Sequence, residues 1–199
     1  YKIVTQSSGA TLIEVPTLNW GHNLVEFPEH VRDDTKVIFI ANPNNPTGTY
    51  NSHQEVHSLL KNIPSSILVV LDCAYFEYVK KSDYVNPLVL LNEFDNLIVT
   101  KSFSKIQGLA SARIGYGIAQ PDLIEALNRI RQPFNVNSFA QELACEAIND
   151  KEHIQQSIDL NLSEGDFLFT ELTQLGLECI PSVGNFLSFK GNFNGKEMF

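Results

Sequence analysis

The chain has 199 residues, is 43% hydrophobic and carries a formal net charge of −9. It is long and apolar enough for one large domain, or for one domain and part of another. The acidic balance argues against nucleic acid or an anionic membrane as a main partner, and no apolar run approaches the roughly 20 residues of a membrane helix.

In chain order, "KIVTQS" (2–7) and "TLIEV" (11–15) are expected as short strands, followed by an acidic loop. "KVIFIA" (36–41) is a continuous apolar, largely β-branched run, the pattern of a strand buried on both faces. "NPNNPTG" (42–48) forbids regular structure, because each proline pushes the residue before it out of the helical region and Gly48 permits a turn. Ser52 and Glu55 form a capping box that opens a helix to about Asn62, ended by Pro64. "SILVVLD" (66–72), "NLIVTK" (96–101) and "RIGYGIA" (113–119) are further strands. Pro121 starts a helix through about Arg129, and Ser138 with Gln141 forms a second capping box for a helix to Asn149. One long helix spans 151–175, and strands at 177–181 and 186–190 follow a break at Gly176.

Strand–helix alternation of this kind implies an α/β fold, a three-layer α/β/α arrangement around a mainly parallel sheet. The expected organisation is a large domain over 1–150, an interdomain helix over 151–175 and the start of a smaller α+β domain over 176–199. Tyr1 is not a start methionine and the chain stops in mid-pattern at "GKEMF", so the sequence reads as a fragment. Cys73, Cys145 and Cys179 lie far apart without a CxxC, which disfavours a disulfide framework or a metal site and makes the cytoplasm the default compartment.

In sheets of this class, ligand groups gather at the carboxyl ends of strands. Three motifs sit there: "NPNNPTG" after 36–41, Asp72 ending 66–72, and "SFSK" after 96–101. Each alone has a plainer meaning: an Asn-Pro turn, a capped strand end with a core tyrosine, or a surface lysine beside serines. Together they specify one ligand. Asp72 suits a protonated ring nitrogen, Asn45 and Tyr75 a phenolic oxygen, Lys105 an aldehyde, and Ser102, Ser104 and Arg113 a phosphate. That ligand is pyridoxal 5′-phosphate, whose sites combine a lysine Schiff base with an acidic partner on the ring nitrogen.

"NPNNPTG", "DCAYFEY" and "SFSKIQGLASARIGYG", in this order, resemble the fold-type I aminotransferases of classes I and II. "RQPFNVNSFAQ" (131–141) and "VGNFLSFK" (183–190) are similar to the histidinol-phosphate aminotransferase branch. The resemblance implies an enzyme that moves an amino group from a small-molecule donor, histidinol phosphate, to a 2-oxo acid, 2-oxoglutarate, and that works as a homodimer. It implies that Lys105 is both the covalent anchor and the base, that Asp72 keeps the ring protonated, and that Tyr75 with Asn45 tunes the linkage. Aromatic amino-acid aminotransferases and phospho-amino-acid decarboxylases share this constellation, as does a non-catalytic aminotransferase-like regulatory module. The family's phosphate-binding glycine loop and its ring-stacking aromatic would precede Tyr1, its substrate arginine would follow Phe199, and Cys73 stands where glutamate is more usual.

Other signals are set aside. "HQEVH" (53–57) lacks the glutamate of a zinc helix and is expected as a solvated helix face. "GYGIAQ" (115–120) is not a dinucleotide loop. Cys145 is expected in the core, and Trp20 is expected as a packed loop aromatic.

Overall fold

A computed structural model describes residues 1–84 and 86–196, so 197–199, the end of the expected second domain, lie outside the described residues. The chain runs α1 (Lys2–Ser7), β1 (Thr17–Leu18), β2 (Gly21–His22), β3 (Val37–Ala41), α2 (His53–Asn62), β4 (Leu68–Asp72), β5 (Leu97–Ser102) and β6 (Gly115–Ile118). It continues through α3 (Pro121–Ile130), α4 (Ser138–Ala147), α5 (Lys151–Gln174), β7 (Glu178–Ile180) and β8 (Ser188–Lys190).

The central sheet has the order β3-β4-β5-β6. The first three strands are parallel and β6 returns antiparallel, so the mainly parallel α/β sheet expected from the alternation is present. One face carries Ile38, Ile40, Val69, Leu71, Leu97 and Val99, all buried with Val56, Leu59 and Leu60 of α2 in one cluster. Each such side chain contributes on the order of 1.5–3 kcal/mol by leaving water. The Ser52–Glu55 capping box is formed, which fixes where α2 starts and hence its seat on this face.

Several expectations give way to tertiary context. The 36–41 run is not buried on both faces: Val37 and Phe39 remain 41% and 37% exposed, because α2 covers only the face of Ile38 and Ile40. Residues 2–7 form a helix rather than a strand, and 11–15 form no strand. β-propensity is realised only where a neighbouring strand accepts the backbone, and here none does. The second capping box is not made. Asn137 caps α4 by accepting from the Ala140 amide, and Ser138 falls inside the first turn. Cys145 is exposed, because the buried stripe of α4 is Ala140 and Ala144 and Cys145 lies one step round from it. Trp20 is 51% exposed at the tip of the β1–β2 hairpin, where Asn19 and Trp20 both take the positive φ of a type I′ turn. His57 of the "HQEVH" face is not simply solvated, since its Nε2 lies 3.0 Å from Glu93 Oε2.

A second, smaller cluster joins Tyr75, Tyr78, Ile106 and Ile158, with Ile154 and Phe186 packed against it. It ties α5 and the 182–188 segment to the turns beyond β4 and β5. β7 and β8 pair antiparallel as a separate ribbon. Among the described residues no helix is long and apolar enough to cross a membrane.

Candidate active site

The parallel register aligns Ala41 with Asp72 and Asp72 with Thr100. The segments that leave β3, β4 and β5 therefore emerge side by side. The 42–48 loop is braced from within: Asn44 N donates to Thr49 O at 2.8 Å and Gly48 N to Asn44 O at 2.8 Å. Asn42 is buried and exchanges two hydrogen bonds with the Asn51 backbone, both 2.9 Å. Both Asn–Pro bonds of this loop, Asn42–Pro43 and Asn45–Pro46, are cis.

From this loop Asn45 Nδ2 donates to the Tyr75 hydroxyl at 2.8 Å. Tyr75 is 5% exposed and belongs to the smaller cluster. Because its oxygen accepts from Asn45, the phenolic proton remains available to a ligand. Lys105 stands on the same ring, with Nζ 5.0 Å from the Tyr75 centroid. It has no ion pair among the described residues. The Lys105 loop is closed by Gly108 N donating to Lys105 O and Leu109 N to Phe103 O, both 2.9 Å. It is also anchored through buried Ile106, whose carbonyl lies 2.9 Å from His153 Nε2 of α5.

Asp72 ends β4 on the face opposite α2. Its Oδ1 accepts from the Ala74 amide at 3.1 Å, and its Oδ2 accepts from the Tyr1 hydroxyl. The Tyr1 ring stacks on Phe39, centroids 4.4 Å apart. Burial first, then the bond to Asp72, pushes the Tyr1 hydroxyl well above the ordinary tyrosine range, so it stays a protonated donor. Ser102 Oγ accepts from Ser104 N at 3.0 Å, leaving the Ser102 hydroxyl proton free to donate. Arg113 is exposed, in left-handed backbone, and its Nη1 donates to Ala110 O at 2.9 Å. The structure thus brings Asn45, Tyr75 and Lys105 together, with Asp72 at the end of the strand from which Tyr75 leaves. It draws no hydrogen bond between Arg113 and the two serines.

Behind this cluster lies a different one. Lys101 Nζ is 3.0 Å from Glu77 Oε1, the side chains only 9% and 17% exposed, and 3.7 Å from the Phe76 ring centroid. The Cys73 thiol is fully buried and its pKa is pushed up to about 12, chiefly by that burial. It is therefore a poor nucleophile near neutrality. Sequence reasoning missed Tyr1, the Lys101–Glu77 pair and Phe186: Glu77 and Phe186 lie inside quoted motifs, but nothing local says which partner each one meets. The only signal for the pair was a second lysine, four residues before Lys105, in a strand that is otherwise apolar.

The description of the aminotransferase class I and II family fits residues 1–197. The histidinol-phosphate aminotransferase of Caldicellulosiruptor saccharolyticus is 45% identical over 199 residues, all of this chain and 56% of that protein. Histidinol-phosphate aminotransferase 2 of a Pseudomonas fluorescens strain is 46% identical over 188 residues, 94% of this chain and 51% of that protein. The crystal structure of the Sinorhizobium meliloti histidinol-phosphate aminotransferase in complex with pyridoxal-5′-phosphate superposes with a TM-score of 0.91 at 26% identity. That match covers 98% of this chain and 53% of that one. The chain spans about half the length of the curated relatives it matches.

Proposed function

Since the chain belongs to the class I and II aminotransferases, we propose that it is the cofactor-binding part of a pyridoxal-phosphate-dependent histidinol-phosphate aminotransferase. The observation that carries this is the Lys105 amine, without an ion pair among the described residues, against the ring of Tyr75, whose hydroxyl Asn45 holds from the neighbouring strand end. The donor set fits the cofactor group by group. A carboxylate (Asp72) would suit a ring nitrogen, an amide–phenol pair (Asn45, Tyr75) a ring oxygen, and an amine (Lys105) an aldehyde. Hydroxyls and a guanidinium (Ser102, Ser104, Arg113) would suit a phosphate, since the Ala110 carbonyl engages only one Arg113 nitrogen.

Bound pyridoxal phosphate supplies an electron sink and a carbon that carries the amino group. The protein's part is then specific to each side chain. Lys105 would hold the aldehyde and would serve as the base that moves a proton at the substrate α-carbon. Asp72, fixed at both oxygens by Ala74 and Tyr1, keeps the ring nitrogen protonated, a charge-assisted contact of about 1.5–3 kcal/mol. Asn45 and Tyr75 would donate to the ring oxygen.

The amino donor we propose is histidinol phosphate and the acceptor 2-oxoglutarate, in a cytoplasmic homodimer. Residues 151–175 would serve as the helix between a large and a small domain, with 176–199 beginning the small one. The names of the relatives at 45–46% identity favour this branch over the aromatic aminotransferases and phospho-amino-acid decarboxylases. The test uses the whole protein that contains these residues. It should bind the cofactor with a visible absorption band, lose that band in Lys105→Ala, and convert the band in a single turnover with histidinol phosphate. Conversion with aromatic amino acids but not histidinol phosphate would select the alternative enzyme. A bound cofactor that no amino donor converts would select the binding-module reading.

A further inference from the structure

The segment that follows β7 returns to the site. Val183 N donates to Gly48 O at 2.9 Å, and Ser188 Oγ donates to Pro46 O at 2.5 Å. Gly48 has φ +74, and a Cβ there would lie 1.9 Å from Ser182 Oγ, so the two backbones approach as closely as a glycine allows. The segment is also stiff in itself. Gly184 N donates to Ser182 Oγ at 3.0 Å, and Asn161 Nδ2 of α5 donates to Gly184 O at 3.2 Å. Between these ties, the Phe186 ring meets the Tyr75 ring nearly at right angles, with centroids 5.1 Å apart and planes at 76°.

The consequence is geometric. Tyr75 has its hydroxyl on Asn45 and its ring against both Lys105 and Phe186. Asn45 belongs to the same loop that Val183 and Ser188 grip. One segment therefore sets both ends of the Asn45–Tyr75 hydrogen bond: the loop that carries the amide and the ring that carries the phenol. Tyr75 owes its ring plane to packing rather than to backbone alone, because it can turn about χ1 and χ2 unless a neighbour blocks it.

We propose that Phe186 is a positioning residue that aims the Tyr75 hydroxyl, acting from a 182–188 latch clamped on the 42–48 loop. This rests on the cofactor reading above and adds a residue that acts through Tyr75. In the latched arrangement both Tyr75 and Asn45 would donate to the ring oxygen of the bound cofactor and favour its negative charge, which would hold down the pH at which the Lys105 linkage takes up a proton. Without Phe186 the phenol is free to swing away and that midpoint rises.

The experiment is a pH titration of the visible band of the holoenzyme, with a melting curve for each variant. Phe186→Ala should raise the midpoint by about half a unit to one unit, the size of a weakened hydrogen bond to a charged group. Phe186→Leu, which keeps apolar bulk, should stay near wild type. Tyr75→Phe should raise the midpoint, and adding Phe186→Ala to it should raise it no further, because no hydroxyl remains to aim. Ser188→Ala, which loosens the latch, should shift the midpoint in the same direction by less, and it carries the test if Phe186→Ala does not fold. A lower melting temperature with an unmoved midpoint overturns the proposal, as does an equal Phe186→Ala shift in the Tyr75→Phe background. A wild type with no band would remove the cofactor reading itself and this inference with it. An unmoved midpoint in a protein that keeps its band removes the inference alone.

Discussion

The end of β5 separates two lysine environments. Lys101, at the end of β5, is 9% exposed, ion-paired with Glu77 and stacked over Phe76. Lys105, four residues on, has left the strand, has no ion pair among the described residues and lies over Tyr75. Both sit over aromatic rings, yet only one has a carboxylate. A lysine whose charge is matched inside the protein cannot lose its partner without leaving a buried charge, and it is unavailable for chemistry. A lysine whose nearest partner is a ring face gains at most a modest cation–π contribution, and its amine stays available. The difference lies in the partner rather than in the residue.

That contrast can be broken most severely at Lys105. Lys105→Ala should abolish the covalent cofactor band and cut turnover by about 10²–10⁴-fold or more, while the unfolding midpoint in urea stays near wild type. The converse variant, Lys101→Ala, leaves Glu77 buried without a counter-charge and should cost about 3–5 kcal/mol in urea unfolding. The Lys101→Met, Glu77→Leu double variant, which removes both charges but keeps bulk, should recover most of that stability. If Lys101→Ala unfolded no more easily than Lys105→Ala, the division of labour would be lost. A finer probe is Tyr1→Phe, which removes one of the two donors to Asp72. Cofactor affinity should fall about fivefold, roughly 1 kcal/mol, by equilibrium dialysis, with the band retained.

The smallest effect lies at the end of β3, where neither lysine takes part. His22 Nε2 lies 3.1 Å from the Ala41 carbonyl, and burial holds its pKa below the usual histidine value, only partly offset by that bond. The unfolded chain therefore takes up a proton before the folded one does. The His22 contribution is complete above the unfolded value of about 6.5 and is lost as pH falls through the lower folded value. Urea unfolding from pH 7 to pH 5 should show this loss, and His22→Asn should flatten it.

Much of this layout was legible in the residues. The 42–48 loop, Asp72, Tyr75 and Lys105 were singled out because prolines, a carboxylate after aliphatics and hydroxyls before a lysine are local signals. So was the Ser52–Glu55 capping box. The strands at 68–72 and 97–102 were legible because a run of β-branched and aliphatic residues marks a buried strand wherever partners exist. Residues 2–7 failed on the same logic: their propensity is strand-like, but no strand lies beside them. The expected α4 cap went to Asn137 instead of Ser138, one residue away, because either side chain can fill that role and the helix register decides.

The order of the chemistry along the chain, and the kinds of group offered to a ligand, were determined by sequence alone, since composition and spacing fix which functional groups leave consecutive strand ends. Which lysine is free, which face of β3 stays open, and which distant phenylalanine leans on Tyr75 were decided only on folding. Those outcomes depend on partners brought in from 24 to 142 residues away, Glu77 to Lys101 and Pro46 to Ser188. No local pattern encodes them.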